Sequence, residues 1–82
     1  MQNVYVKFNS LKEINQFVAM LSNYQTEFDL VSRRNVVDAK SLLGICSLDL
    51  STPLLLNIYS DDPDIPKSLE NFLSPDKRQG AA

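Results

Sequence analysis

Val37-Asp38-Ala39-Lys40-Ser41-Leu42-Leu43-Gly44-Ile45-Cys46-Ser47-Leu48 runs from an alternating segment into an apolar stretch of a different period. Val36 to Ala39 is the tail of a strand, with Val37 and Ala39 on one side and Asp38 on the other. Ser41 belongs to the residue types whose side-chain oxygen accepts an unpaired amide at a helix start. Leu42 to Leu48 behind it suits a short helix. The rest of the chain is read outward from there.

Upstream, Thr26 to Ser32 alternates with Phe28 and Leu30 inward and Glu27 and Asp29 outward. Arg33-Arg34-Asn35 is a polar interruption of hairpin length before Val36. Further upstream, Ser10 stands three residues before Glu13, the spacing of a capping box. Its hydroxyl would accept from the Glu13 amide while the Glu13 carboxylate returns to the Ser10 amide. Leu11, Ile14, Phe17, Val18, Leu21 and Tyr24 then follow helical spacing, which predicts a helix over about 11–24. Asn3 to Phe8 is a strand, with Val4, Val6 and Phe8 on one side and Tyr5 and Lys7 on the other. Downstream, Pro53 to Tyr59 is a strand that tolerates proline only at its start. Ser60 to Asp64 is a turn and helix-start signal. Ile65, Leu69, Phe72 and Leu73 form the stripe of a last helix ended by Ser74-Pro75.

The order is β-α-β-β-α-β-α. Each helix has one apolar stripe and each strand one apolar face, so the expected fold class is α+β: a mostly antiparallel four-stranded sheet with three helices on one face, an open-faced two-layer sandwich. Val4, Val6, Phe8, Phe28, Leu30, Val37, Ala39, Leu56 and Ile58 are the expected sheet-side core. Residues 1–74 form the single domain and 75–82 a flexible tail. At this mass about 63% of the unfolded surface is buried, enough for one modest core.

Composition narrows the chemistry. The 82 residues contain no histidine, which removes a Ser-His-Asp triad, a Cys/His zinc finger and a phosphohistidine relay. Eight Lys+Arg against ten Asp+Glu give a net charge of −2, which argues against direct nucleic-acid binding. Cys46 is the single cysteine; it has no disulfide partner and, set in an apolar stretch, reads as a buried, inert thiol. Apolar runs stay short of the ~18 residues of a membrane span. A cytoplasmic location with no membrane contact is expected.

The element order, with the Ala39-Lys40-Ser41 to Gly44 to Ser47-Leu48 run, resembles the histidine-containing phosphocarrier protein (HPr) of the bacterial sugar phosphotransferase system. The likeness extends without an apparent gap from about Tyr24 to Tyr59, and the order of elements matches over about 1–74. In that family the first helix opens on a histidine followed by Ala-Arg-Pro, and the imidazole carries a phosphoryl group from enzyme I to enzyme IIA components. Placed on this chain, that signature falls on Ser10-Leu11-Lys12-Glu13 after a shorter loop. Ser10 matches the phosphoryl-acceptor position. Phosphohistidine is a phosphoramidate that hands its phosphate on; a phosphoserine ester is a dead end. The resemblance therefore implies an HPr-like fold without phosphohistidine transfer, and the bland role of Ser10 is a helix cap worth ~1 kcal/mol.

Ser41 matches the serine that a dedicated kinase phosphorylates in Gram-positive members to make a co-repressor for a transcription regulator, and a family homologue lacks the histidine while keeping this serine. Two readings stay open for Ser41: a regulatory phosphorylation site or a plain cap. Phosphate there would add roughly −1.5 to −2 charges beside a helix dipole. The resemblance also implies a docking patch on the first and second helices, here Lys12, Met20, Lys40, Leu42, Leu43 and Ile45, with partners among phosphotransferase-system components, a serine kinase or a transcription regulator. The same leucines could instead close the core edge. No cofactor is implied, and no metal: Asp61, Asp62 and Asp64 lack the twelve-residue calcium pattern. No pair of titratable groups has a catalytic spacing, so an enzyme is not expected. The reading from another class is a small α+β interaction or ligand-sensing module that shares only the architecture.

Overall fold

The structure, a computed structural model, describes residues 1–75 of the chain. The expected tail, apart from Pro75, lies outside the described residues. In chain order the elements are β1 (Gln2–Val6), α1 (Leu11–Leu21), β2 (Phe28–Ser32), β3 (Asn35–Asp38), α2 (Leu42–Cys46), β4 (Leu54–Ile58) and α3 (Asp64–Ser68), followed by a 3-10 turn at Glu70–Phe72. The four strands make one antiparallel sheet in the order β1-β4-β2-β3. This is the expected α+β open-faced sandwich.

Register explains the core. Val4 pairs with Leu56, Leu56 with Leu30 and Leu30 with Val37, so one apolar row crosses the whole sheet. Gln2, Ile58 and Phe28 make the row on one side of it and Val6 with Leu54 the row on the other. Against these rows α1 buries Ile14, Phe17 and Leu21, α2 buries Ile45, and α3 buries Ile65. At ~25 cal/mol per Å² of apolar area, each such side chain stabilises the fold by roughly 1.5–3 kcal/mol. Phe17 meets Phe8 edge-on with centroids 4.8 Å apart, and Phe72 at 5.5 Å. No buried side-chain polar atom among the described residues lacks a partner, and no helix among them is long and apolar enough to cross a membrane.

Five expectations need correction. Helix α1 ends at Leu21, capped by Ser22, so Tyr24 lies past it and not on its stripe. The hairpin turn is two residues, Arg33 and Arg34, because Asn35 already pairs with Ser32. Arg33 supplies the positive φ, 56°, that a tight turn between right-twisted strands demands. The last helix is broken: α3 stops at Ser68, and Leu73 is extended and 41% exposed instead of sharing the stripe. The unpaired outer edge of β1 supplies the reason. The Lys7 amide donates to the Phe72 carbonyl at 3.0 Å and the Ser74 amide to the Tyr5 carbonyl at 2.8 Å, and Pro75 biases Ser74 away from helix. Leu11, in the first turn of α1, is 58% exposed. Cys46 is exposed and not buried; in a five-residue helix only one side can face the sheet, and position 45 takes it.

Candidate functional site

Two helix starts and the ridge between them hold the residues singled out from the sequence. Ser10 is the N-cap of α1 in extended backbone (φ −159°, ψ 161°), and its hydroxyl accepts the Glu13 amide at 3.2 Å. The Glu13 carboxylate returns to the amide of Asn9 at 2.9 Å, one residue before the one expected. The box closes all the same. It also places a carboxylate at the positive end of the α1 dipole, where an incoming anion would otherwise sit.

Ser41 is the N-cap of α2, again with extended backbone, and its hydroxyl accepts the Gly44 amide at 3.1 Å. The first turn of α2 holds no acidic residue. A side chain at Gly44 would begin 3.1 Å from Ser41 Oγ and 3.2 Å from Val37 Cβ. The glycine is thus what lets the helix start lie against both its own cap and strand β3. Upstream, Asp38 Oδ1 accepts the Lys40 amide at 2.9 Å and the Asp38 carbonyl accepts the Ser41 amide at 2.9 Å. This turn aims the chain from the sheet edge into α2, with Ser41 half-buried.

The six expected docking residues divide. Leu43 is 85% exposed and Lys12 is exposed. Met20 and Leu42 are half-buried and both pack on the rim of the core, and α1 and α2 are in contact. Ile45 is fully buried and leaves the contact set, since a helix this short anchors through one residue. Lys40 is turned inward. Its ammonium donates to the Tyr24 carbonyl at 2.7 Å and stands 5.6 Å from the centre of the Phe28 ring, an arrangement that ties the end of α1 to the approach of α2. The Tyr24 hydroxyl donates to Ser68 Oγ at 3.2 Å and extends the tie to α3. Just past α2, the hydroxyl and amide of Ser51 donate to Asp49 Oδ1, which holds the Asp49 carboxyl below its ordinary range; the charge of Arg33 adds to this.

Two exposed side chains were missed in the sequence. Leu11 at the start of α1 and Cys46 at the end of α2 both lie on the helix surfaces under discussion. The helical period would have flagged Cys46, which is three residues from exposed Leu43. Among the described residues no group of His, Cys, Asp and Glu is arranged to hold a metal ion.

No protein-family model matches the chain, and no curated protein does. Solved structures do. HPr-C-His from Thermoanaerobacter tengcongensis superposes with a TM-score of 0.74 at 24% identity, covering 87% of this chain and 89% of that one. The phosphocarrier protein HPr from Bacillus anthracis str. Ames gives a TM-score of 0.70 at 23% identity over 89% and 94% of the two chains. A histidine-containing phosphocarrier protein from Mycoplasma gives 0.62 at 9% identity over 85% and 91%. The shared property at these identities is the fold.

Proposed function

We propose that this chain is an HPr-like protein that does not transfer phosphohistidine and acts in the cytoplasm as a regulatory, protein-binding component of sugar uptake. In this reading Ser41 accepts a regulatory phosphate, and Leu43, Leu42, Met20 and Lys12 contact the partner. The observation that carries it is Ser41 at the cap of α2, beside a leucine that is 85% exposed, in a fold shared with phosphocarrier proteins. Three physical points support it. With no imidazole in the chain, Ser10 can hold a phosphate only as an ester, which does not pass it on. Glu13 already supplies an anion to the α1 start, so a second one there is repelled. The first turn of α2 contains no carboxylate, so a phosphate on Ser41 meets amides and the dipole without that repulsion.

The test is phosphorylation with ATP and the serine kinase that modifies Gram-positive phosphocarriers. One phosphate is expected, lost in Ser41→Ala and kept in Ser10→Ala. No incorporation, or incorporation that survives Ser41→Ala, overturns the regulatory assignment.

A ligand-sensing module is the second reading, favoured by an open cleft of about 360 Å³ beside the end of α1, lined by Gln25, Glu27, Asp29, Asp38 and Lys40 among others. Pull-down separates the two, because a sensor of this kind captures neither enzyme I nor a catabolite-control regulator.

A further inference from the structure

Strand β3 is an outer strand of the sheet, and its backbone can be followed residue by residue. The Ala39 amide donates to the Phe28 carbonyl at 3.1 Å, and the pairs Leu30 with Val37 and Ser32 with Asn35 continue the same phase of the ladder. In an antiparallel pair, alternate residues turn their amide and carbonyl toward the partner strand and away from it. Asn35, Val37 and Ala39 therefore face β2, while the amides and carbonyls of Val36 and Asp38 point outward. Among the described residues no strand pairs with that side. Of these four outward groups the Asp38 carbonyl is engaged, by the Ser41 amide at 2.9 Å. Arg34, Val36 and Asp38 are all exposed, Val36 by 60%. Arg34 and Asp38 carry opposite charges, two residues before and two after Val36, and among the described residues neither takes part in an ion pair. Pro75 follows Ser74, which is hydrogen-bonded to β1 at the opposite edge of the sheet. That edge is three strand spacings away, about 14 Å.

We propose that β3 pairs edge to edge with β3 of a second copy of this chain, antiparallel about a two-fold axis at Val36, so that the two sheets join into one. Sequence position selects the occupant. With Val36 opposite Val36, Arg34 of each copy lies opposite Asp38 of the other, and directly opposed residues of an antiparallel pair share a face of the sheet. The two Val36 residues then exchange amide-to-carbonyl hydrogen bonds, and the outward Asp38 amides meet the other copy's strand at Arg34. Slipping the pairing by two residues either way keeps the outward backbone groups in phase but sets Val36 against Arg34 or Asp38 and leaves the charges unmatched. Backbone and charge thus choose one register, and it is the self-complementary one. Because β3 has four residues, the interface is smaller than a standard one, and the dimer forms only at high concentration. The proposal concerns the edge of β3 and does not rest on the reading of Ser41.

Sedimentation equilibrium of the full chain from about 10 µM to about 1 mM spans the range in which a small interface associates. A monomer–dimer equilibrium is expected. Over the same range, hydrogen exchange of the Val36 and Asp38 amides slows several-fold, while that of Asn35 and Val37, which already face β2, stays level. Val36→Glu and Val36→Lys, at an exposed position, each weaken association by about tenfold or more, because like charges then stand opposite each other. An equimolar mixture of the two chains regains the lost affinity, since Glu then faces Lys. Arg34→Glu weakens association less, and added salt reduces its effect. A chain that stays monomeric at the highest concentration overturns the proposal. So does a dimer that survives both Val36 variants unchanged, a mixture no tighter than its components, or slowed exchange that falls on α1 and α2 instead of β3.

Discussion

At the start of α1, Ser10 accepts the Glu13 amide and the Glu13 carboxylate returns to the Asn9 amide; at the start of α2, Ser41 accepts the Gly44 amide and no carboxylate returns. The two caps use the same chemistry and are each worth about 1 kcal/mol. Their surroundings separate them. Helix α1 has eleven residues and three buried anchors, and its positive end is offset by its own carboxylate. Helix α2 has five residues and one buried anchor, too few to hold itself together, and its first turn carries no carboxylate of its own. The difference teaches that a serine cap does not by itself mark a site: what matters is whether the fold has already supplied the charge that the cap would attract.

The most damaging way to break the comparison is Gly44→Val. A branched side chain beginning 3.1 Å from Ser41 Oγ and 3.2 Å from Val37 Cβ must push α2 off its cap or off β3. A loss of about 2 kcal/mol is expected in chemical denaturation; an unchanged midpoint would mean that close approach is not what this glycine provides. Next come the caps themselves. Ser41→Ala and Ser10→Ala each cost about 1 kcal/mol, but hydrogen exchange should distinguish them. Protection of the Gly44 and Ile45 amides is lost in Ser41→Ala, whereas the middle of α1 keeps its protection in Ser10→Ala. Equal loss in both helices would erase the contrast drawn here. The finest test moves only charge. Ser41→Asp leaves stability level or raises it, while Ser10→Asp lowers it because the new carboxylate sits beside Glu13; the gap is about 0.5 kcal/mol and shrinks with added salt.

Much of this was legible in the residues. Alternation at Phe28 to Leu30 and helical spacing at Ile14, Phe17 and Leu21 are signals of period, and period is set by backbone geometry. Both caps were legible because a cap is a contact over three residues. The errors share a cause. Leu11 and Cys46 were assigned inward, yet whether an apolar side chain on a helix is covered depends on what lies above it. Lys40 was offered to a partner, yet its ammonium found the Tyr24 carbonyl sixteen residues upstream. Leu73 continued an apolar stripe in the sequence, but the free edge of β1 claimed its backbone.

By itself the sequence determined the local chemistry: where elements start, which face of each strand is apolar, and that no imidazole is present to carry a phosphoryl group. Those properties depend on neighbours within a turn or two. Only the tertiary structure decided the strand order β1-β4-β2-β3, with β3 as an outer strand, and the choice of Ile45 over Leu43 as the buried anchor of α2. These depend on which distant segments meet across the sheet, and that is settled by burying apolar area for the whole chain at once.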